Sequence, residues 1–423
     1  MERVLGVSVF VVDGGRRLSG EVKVQGSKNS ALPILAATLL CRGESVLHNC
    51  PRLSDVEASL AILRYIGCTA RREGDTVIVD TGNVTRFEIP PELMHRMRSS
   101  IIFLGAMIAR FDRVRMTFPG GCELGPRPID LHLSALREMG VEIGEEHGEL
   151  DCRVRDTLHG ANISLPVPSV GATENIMIAA ALAHGTTVIS NAAREPEIVD
   201  LADYLNACGA EIHGAGESTV VIDGVESLSP AVHTMIPDRI VAATLMSAAA
   251  ATGSDILMRG IIPSHLRSVF PVFRNSGCEI TVKREGVRIS APYRLQSPKL
   301  IRTMPYPGFP TDAQAPVMSM AAVADGMTVF VENIFTSRYS HVSELCRFGA
   351  DIRVEGKVAV VDGVKRLLSA NVRAQDLRGA AALVVAALCA VGKSEISGIE
   401  YLERGYEDFE LALSSLGADV KKI

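Results

Sequence analysis

The sequence predicts a mixed α/β protein of six repeated units, with its helices inside and its sheets outside. Three observations carry that prediction. An amphipathic helix, a glycine and an alternating strand recur around Gly67, Gly140, Gly209, Gly277, Gly349 and Gly417, about seventy residues apart each time. In phase with them recurs a small-residue helix followed by a short turn and a β-branched strand, as in ENIMIAAALAHGTTVIS, AATLMSAAAATGSDILM and GAAALVVAALCAVGKSEIS. These second helices are apolar on nearly every side, which demands full burial, whereas strands such as Val358-Ala359-Val360 alternate and are half exposed. Six units without a long linker suggest two domains of three units each, and a groove between two such domains is a natural ligand site.

The elements follow in order along the chain. VQGSKNSALP (24–33) reads as a strand whose end loop opens a buried helix, and LAILRYIGCTARRE is the amphipathic helix and strand around Gly67. MHRMRSS (94–100) leads into IIFLGAMIARF, with Asp112-Arg113 where the other copies place glycine. PGGCELGPRP (119–128) is too rich in Gly and Pro for a helix or central strand, so Cys122 and Arg127 lie on a loop. LSALREMGVEIGEE, SVGATENI (169–176) and LADYLNACGAEIHG continue the alternation through Gly140 and Gly209. FPVFRNSGCEITVK, FPTDAQAP (309–316), VSELCRFGADIRVE and LALSSLGADVKKI repeat it to the end, each repeat glycine standing where a left-handed helix stop is expected.

Bulk properties narrow the function. Hydrophobic residues make up 47% of the 423 and charged residues 22%, an ordinary balance for a globular protein. A net charge of -6 argues against a nucleic-acid binder that relies on a basic field. With no Trp and 4% aromatics, stacking platforms are scarce. No apolar run is long enough for a membrane span, and the first residues lack a secretory pattern, so a cytoplasmic protein is expected. Nine cysteines without a CxxC pair point away from a disulfide framework or a metal site. Cys68, Cys208, Cys278 and Cys346 stand beside repeat glycines, Cys41 ends a buried helix and Cys389 lies within one, so these read as small core hydrophobes. Cys122 does not fit that pattern and is the thiol singled out for chemistry.

Several polar residues fall at strand-to-helix junctions. Lys28 and Asn29 stand at a helix start, where free amides attract anions; the alternative is a Ser or Asn cap beside a solvated lysine. Arg98 at a helix entrance opposes the macrodipole unless an anion sits there. Asp312 is either a routine helix cap or a general base. Arg338, Arg378 and Arg404 each read as exposed at a segment junction. If the junctions converge, Lys28, Arg98, Arg127, Arg338 and Arg404 form a cationic funnel suited to a small, multiply charged anion such as phosphoenolpyruvate.

Taken together, SKNSALPILAA, MRSSI, PGGCELGPRPIDLH, SVGAT, REPEIVDLADYL, FPTDAQA, SRYSHVSEL, DLRGAAAL and RGYED resemble the enolpyruvyl transferases, most closely the branch that acts on UDP-N-acetylglucosamine. The resemblance runs from residue 24 to 408. It implies two inside-out α/β domains, each a threefold repeat of a βαβαββ unit, with a ligand cleft between them. Residues 1–27 plus 237–423 would form a discontinuous first domain, and 28–236 a second that carries the Cys122 loop. The implied reaction moves the enolpyruvyl group of phosphoenolpyruvate to the sugar 3′-hydroxyl and releases phosphate, in peptidoglycan synthesis.

Carried over residue by residue, Cys122, Asp312, Lys28 and Arg404 are the implied catalytic set. The resemblance implies that Cys122 acts as general acid, bonds covalently to phosphoenolpyruvate and is the residue fosfomycin alkylates, with Asp312 the candidate base. Lys28, Asn29, Arg127, Arg338, Arg378 and Arg404 would bind phosphoenolpyruvate. Asn29, Arg98, Arg127, Pro128, Ile129, Asp130, Leu131, His132, Ser169, Val170, Gly171, Asp312 and Ile334 would bind the nucleotide sugar. Neither a cofactor nor a metal is implied, and neither a nucleic acid nor a membrane is an expected partner; a monomer is the expected state. Val167 departs from the pattern where some members carry a lysine, and Glu123 and Pro126 vary the loop. Three other readings stay open: the sister 5-enolpyruvylshikimate-3-phosphate synthases, an idle nucleotide-sugar-binding paralogue, and an RNA-end-processing enzyme built from the related repeat.

Overall fold

A computed structural model describes residues 8–120 and 129–423. The Cys122 loop, with Arg127 and Pro128, lies outside the described residues, as do Glu123 and Pro126. The described chain forms two compact units. One contains residues 8–25 together with Pro237–Ile423, and the other contains residues 26–120 and 129–236.

Each unit is built around three buried helices that pack on one another. They are Lys28–Ala37, Phe103–Phe111 and Val170–Ala180 in one unit, and Arg239–Ala251, Gln314–Ala321 and Leu377–Cys389 in the other. Small residues let these helices approach their neighbours closely. At Gly105 an added Cβ would lie 2.4 Å from the Asn175 carbonyl oxygen of a neighbouring helix, so that position admits no side chain.

Among the described residues, six four-stranded sheets surround these helices. In the stretch 162–223, strand Asn162–Ser164 pairs in parallel with Thr186–Ser190. That strand pairs antiparallel with Thr219–Asp223, which pairs antiparallel with Glu211–His213. With helices Val170–Ala180 and Pro196–Ala207 between the strands, this is one βαβαββ unit. The strands alternate as expected: Thr186–Ser190 buries Thr187 and Ile189 and turns Thr186 and Ser190 to solvent. The predicted arrangement of buried helices and half-exposed sheets is therefore what the chain adopts.

All six repeat glycines are left-handed, with φ between +89° and +113°. At the second turn of each repeat the left-handed position is taken by Gly43, Gly185, Gly253, Gly326 and Gly392, and in the remaining repeat by Asp112 at φ +59°. Aspartate tolerates this conformation better than most residues.

Three sheets take a strand from a distant part of the sequence. Val232–Thr234 pairs in parallel with Glu44–His48, and Ser19–Lys23 with Asp255–Arg259, while Phe10–Asp13 lies between Lys393–Ser397 and Asp419–Lys422. Contiguous repeats in sequence are thus closed by remote strands in space.

The cysteines follow the core reading with one correction. Cys41, Cys68, Cys208 and Cys278 are buried, as are Cys50 and Cys152, while Cys389 is half-buried. Cys346 is exposed, because the short helix Val342–Arg347 turns Val342 and Leu345 inward and places Cys346 on its outer side. Burial pushes the Cys68, Cys152 and Cys278 thiols up to about 12, so they stay protonated and inert.

Candidate active site

The unit holding Pro237–Ile423 gathers Asp312, Arg338 and Arg378. Asp312 lies in the single 3-10 turn Thr311–Ala313 that leads into the buried helix Gln314–Ala321. Pro310 is the cap residue of that turn, so the helix-cap reading of Asp312 is set aside; its carboxylate is used elsewhere. Arg338 Nη2 donates to Asp312 Oδ1 at 2.7 Å and to the Thr311 carbonyl at 3.1 Å. Arg378 donates to Asp312 Oδ2 from Nε at 3.2 Å and from Nη2 at 3.0 Å.

The expected exposure of Arg338 and Arg378 is corrected: they are only 3% and 2% exposed. Guanidinium groups enter a protein interior when a carboxylate accepts their hydrogen bonds, and Asp312 does so for both. Burial on its own would lower the Arg378 pKa, but Asp312, Tyr406 and Asp238 outweigh it and raise it, so the guanidinium stays charged.

A chain of hydrogen bonds fixes Arg378 from behind. Its Nη1 donates to Tyr406 Oη at 3.2 Å, which lies 2.8 Å from Thr244 Oγ1, which in turn donates to the Ile240 carbonyl at 3.0 Å. Thr244 gives its only hydroxyl hydrogen to Ile240, so Tyr406 is the donor to Thr244. Burial pushes the Tyr406 phenol up, and it keeps that proton.

Two carboxylates outside the expected set brace this region. Asp376 caps the helix Leu377–Cys389 by accepting from the Arg378 and Gly379 amides, and Ser340 Oγ donates to its other oxygen at 3.1 Å. Glu332, 1% exposed, accepts from Thr311 Oγ1 at 3.0 Å and from the Ile334 and Phe335 amides. It ties the Asp312 turn to Ile334, which is itself exposed. The Asp-Leu-Arg start of DLRGAAAL carried a readable cap signature for Asp376; nothing in the sequence marked Glu332, Thr244 or Tyr406. Arg404 closes the 3-10 turn Leu402–Arg404, two residues before Tyr406.

The unit holding residues 26–120 and 129–236 presents the other described candidates. Ser27 caps the helix Lys28–Ala37 by accepting from the Ser30 amide, so Lys28 and Asn29 occupy its first turn. Lys28 is not solvated: Nζ lies 3.1 Å from Asp55 Oδ2, and its side chain is 12% exposed. Ser169 caps the helix Val170–Ala180 through the Ala172 amide, placing Val170 and Gly171 in its first turn. Both caps are neutral and neither first turn contains an acidic residue, so the positive end of each helix dipole is left uncompensated by its own side chains. Arg98 opens the 3-10 turn Arg98–Ile102 that precedes the helix Phe103–Phe111.

Ile129, Asp130, Leu131 and His132 enter the helix Asp130–Glu138, with Asp130 exposed and His132 buried. Burial lowers the His132 pKa to about 4, which keeps the ring neutral at physiological pH. Gly171 abuts it: a Cβ there would lie 3.2 Å from His132 Cε1. Val167 is 56% exposed. Among the described residues no group of three or more His, Cys, Asp or Glu side chains is placed to hold a metal ion, and no helix is long and apolar enough to cross a membrane.

Comparison with known proteins decides the family. Residues 12–413 match the family described as EPSP synthase (3-phosphoshikimate 1-carboxyvinyltransferase). The chain belongs to the enolpyruvyl transferase family. It is 49% identical over 415 residues to UDP-N-acetylglucosamine 1-carboxyvinyltransferase 2 of Caldanaerobacter subterraneus subsp. tengcongensis, covering 98% of this chain and 99% of that one. It is 48% identical to UDP-N-acetylglucosamine 1-carboxyvinyltransferase of Trichlorobacter lovleyi, with 98% and 99% covered.

Among solved structures, the enolpyruvyl transferase NikO from Streptomyces tendae superposes with a TM-score of 0.89 at 28% identity, covering 99% of each chain. EPSP synthase from Acinetobacter baumannii superposes with a TM-score of 0.75 at 19% identity, covering 99% of this chain and 100% of that one, a likeness of fold. Membership of an enolpyruvyl transferase family agrees with the two threefold-repeat units described above.

Proposed function

We propose that this chain transfers the enolpyruvyl group of phosphoenolpyruvate to the 3′-hydroxyl of UDP-N-acetylglucosamine, with release of phosphate by addition and elimination, as the first committed step of peptidoglycan synthesis. The observation that carries the reading is identity of 48–49% along nearly the whole chain to relatives of that name.

In this reading Asp312 receives the proton of the attacking hydroxyl, and Cys122 delivers one to the vinyl carbon. Lys28, Asn29, Arg127, Arg338, Arg378 and Arg404 serve the phosphate and carboxylate of phosphoenolpyruvate. The clamp on Asp312 supports a positioning role: a buried guanidinium holds each of its carboxylate oxygens, so little reorganisation is left for the reaction step. Arg98, Ile129, Asp130, Leu131, His132, Ser169, Val170, Gly171 and Ile334, with Arg127 and Pro128, serve the nucleotide sugar. The reading carries a cytoplasmic setting, a part in cell shape and division through wall synthesis, and sensitivity to fosfomycin at Cys122.

The test is phosphate release from phosphoenolpyruvate with UDP-N-acetylglucosamine and shikimate 3-phosphate offered separately. Release with the nucleotide sugar alone is the expected result. Release with shikimate 3-phosphate alone moves the chain to the sister activity, and silence with both in a protein that binds the nucleotide sugar makes it an idle paralogue.

A further inference from the structure

Asn175 is wholly buried in the helix Val170–Ala180, and its amide meets two other segments of the same unit. Its Oδ1 accepts from the Gly105 amide at 2.7 Å, and its Nδ2 donates to the Ile101 carbonyl at 2.9 Å. Nδ2 also lies 2.9 Å from His132 Nδ1. The two backbone groups settle which way the amide points, since a backbone N–H only donates and a carbonyl only accepts. One Nδ2 hydrogen goes to Ile101 and the other faces His132 Nδ1. That ring nitrogen must then be a lone-pair acceptor, and the proton of the neutral imidazole resides on Nε2.

The surroundings are shaped for this contact. A Cβ on Gly105 would lie 2.5 Å from Asn175 Oδ1, so only glycine admits the amide there. On its far side the ring runs along Gly171, whose added Cβ would lie 3.4 Å from His132 Nε2. The Nε2 edge therefore lies beside the first turn of the helix capped by Ser169.

We propose that Asn175 is a positioning residue: it locks His132 in the Nε2–H tautomer, so that the ring offers a neutral hydrogen-bond donor to an acceptor oxygen of the nucleotide sugar. This rests on the reading that His132 belongs to the nucleotide-sugar site. Asn175 does not itself touch the ligand; it acts through the ring. The lowered His132 pKa agrees with a neutral donor rather than an imidazolium.

The experiment uses the full chain labelled with 15N-histidine, with two-bond 1H–15N correlation at neutral pH and the His132 signals assigned by difference from His132→Gln. The wild type should show protonated Nε2 and unprotonated Nδ1. Asn175→Asp replaces the donor facing Nδ1 by an acceptor and should move the proton to Nδ1. The KM for UDP-N-acetylglucosamine should rise about tenfold, the loss expected for one hydrogen bond to a buried partner, while the KM for phosphoenolpyruvate stays constant.

Protonated Nδ1 in the wild type overturns the proposal, and that measurement needs no variant to fold. An unchanged tautomer in folded Asn175→Asp, or a switched tautomer with an unchanged KM, overturns the positioning role. An unchanged KM in His132→Gln, with the wild-type tautomer as expected, instead removes His132 from the nucleotide-sugar site while the hydrogen-bond assignment stands.

Discussion

The substitution Asp312→Asn separates the proposed base role of this carboxylate from its ion pairs with Arg338 and Arg378. An asparagine side chain is nearly the same shape, but it lacks the charge that balances Arg338 and Arg378, both of which are buried. Removing one partner of a buried ion pair costs about 3–5 kcal/mol. The Asp312 side chain keeps 28% exposure, so water screens part of that loss and the figure falls to about 2–3 kcal/mol. For a unit of this size each kcal/mol moves the melting temperature by about 2–4 °C, which gives a fall of about 4–12 °C.

Turnover should drop about a hundredfold to ten-thousandfold, the usual contribution of a general base. Differential scanning fluorimetry reads the first effect, and phosphate release with both substrates, at a temperature where the variant is folded, reads the second. Wild-type turnover in the folded variant refutes the base role and leaves Asp312 a clamp for two arginines. An unchanged melting temperature refutes the buried-pair reasoning.

Four further outcomes are expected. Tyr406→Phe removes the acceptor for Arg378 and the donor to Thr244; chemical denaturation should show a loss of about 2–4 kcal/mol, from one charged and one neutral hydrogen bond. Cys122→Ser should abolish or severely slow turnover and remove fosfomycin sensitivity, checked by phosphate release with and without the inhibitor. His132 and His341 are both lowered to about 4, chiefly by burial, with Asp376 raising and Arg338 lowering His341. Their folded pKa values lie below the unfolded value, so their contribution is complete above about pH 6.5 and falls by about 1.4 kcal/mol per pH unit for each ring as the pH drops toward 4; denaturation at pH 7 and 5 should show that slope, and His341→Leu should make it shallower. The Glu174 pKa is raised by burial and by Glu197 and Glu195, so the stability it contributes is present below its unfolded pKa and is lost as the pH rises. Glu174→Gln should therefore gain on the wild type in melting temperature between pH 5 and 8.

The sequence by itself determined the repeat and its inside-out character. A helix apolar on every side has nowhere to go but the interior, and a glycine after each amphipathic helix marks a left-handed stop; both are local properties, and all six repeat glycines adopt that conformation. At the turn where Asp112-Arg113 stands in place of glycine, Asp112 takes the same left-handed conformation. What the tertiary structure decided was pairing between distant residues. That Val232–Thr234, Ser19–Lys23 and Phe10–Asp13 complete sheets remote in sequence is long-range pairing, which no local pattern encodes.

The same holds at the candidate site. Arg338 and Arg378 read as exposed because an arginine at a segment junction ordinarily is; they are buried because the fold brings Asp312 to them from 26 and 66 residues away, and a carboxylate in hydrogen-bond reach offsets their desolvation. The Asn175–His132 contact likewise joins residues 43 apart, and only the backbone groups of Gly105 and Ile101 around it determine which ring nitrogen bears the proton.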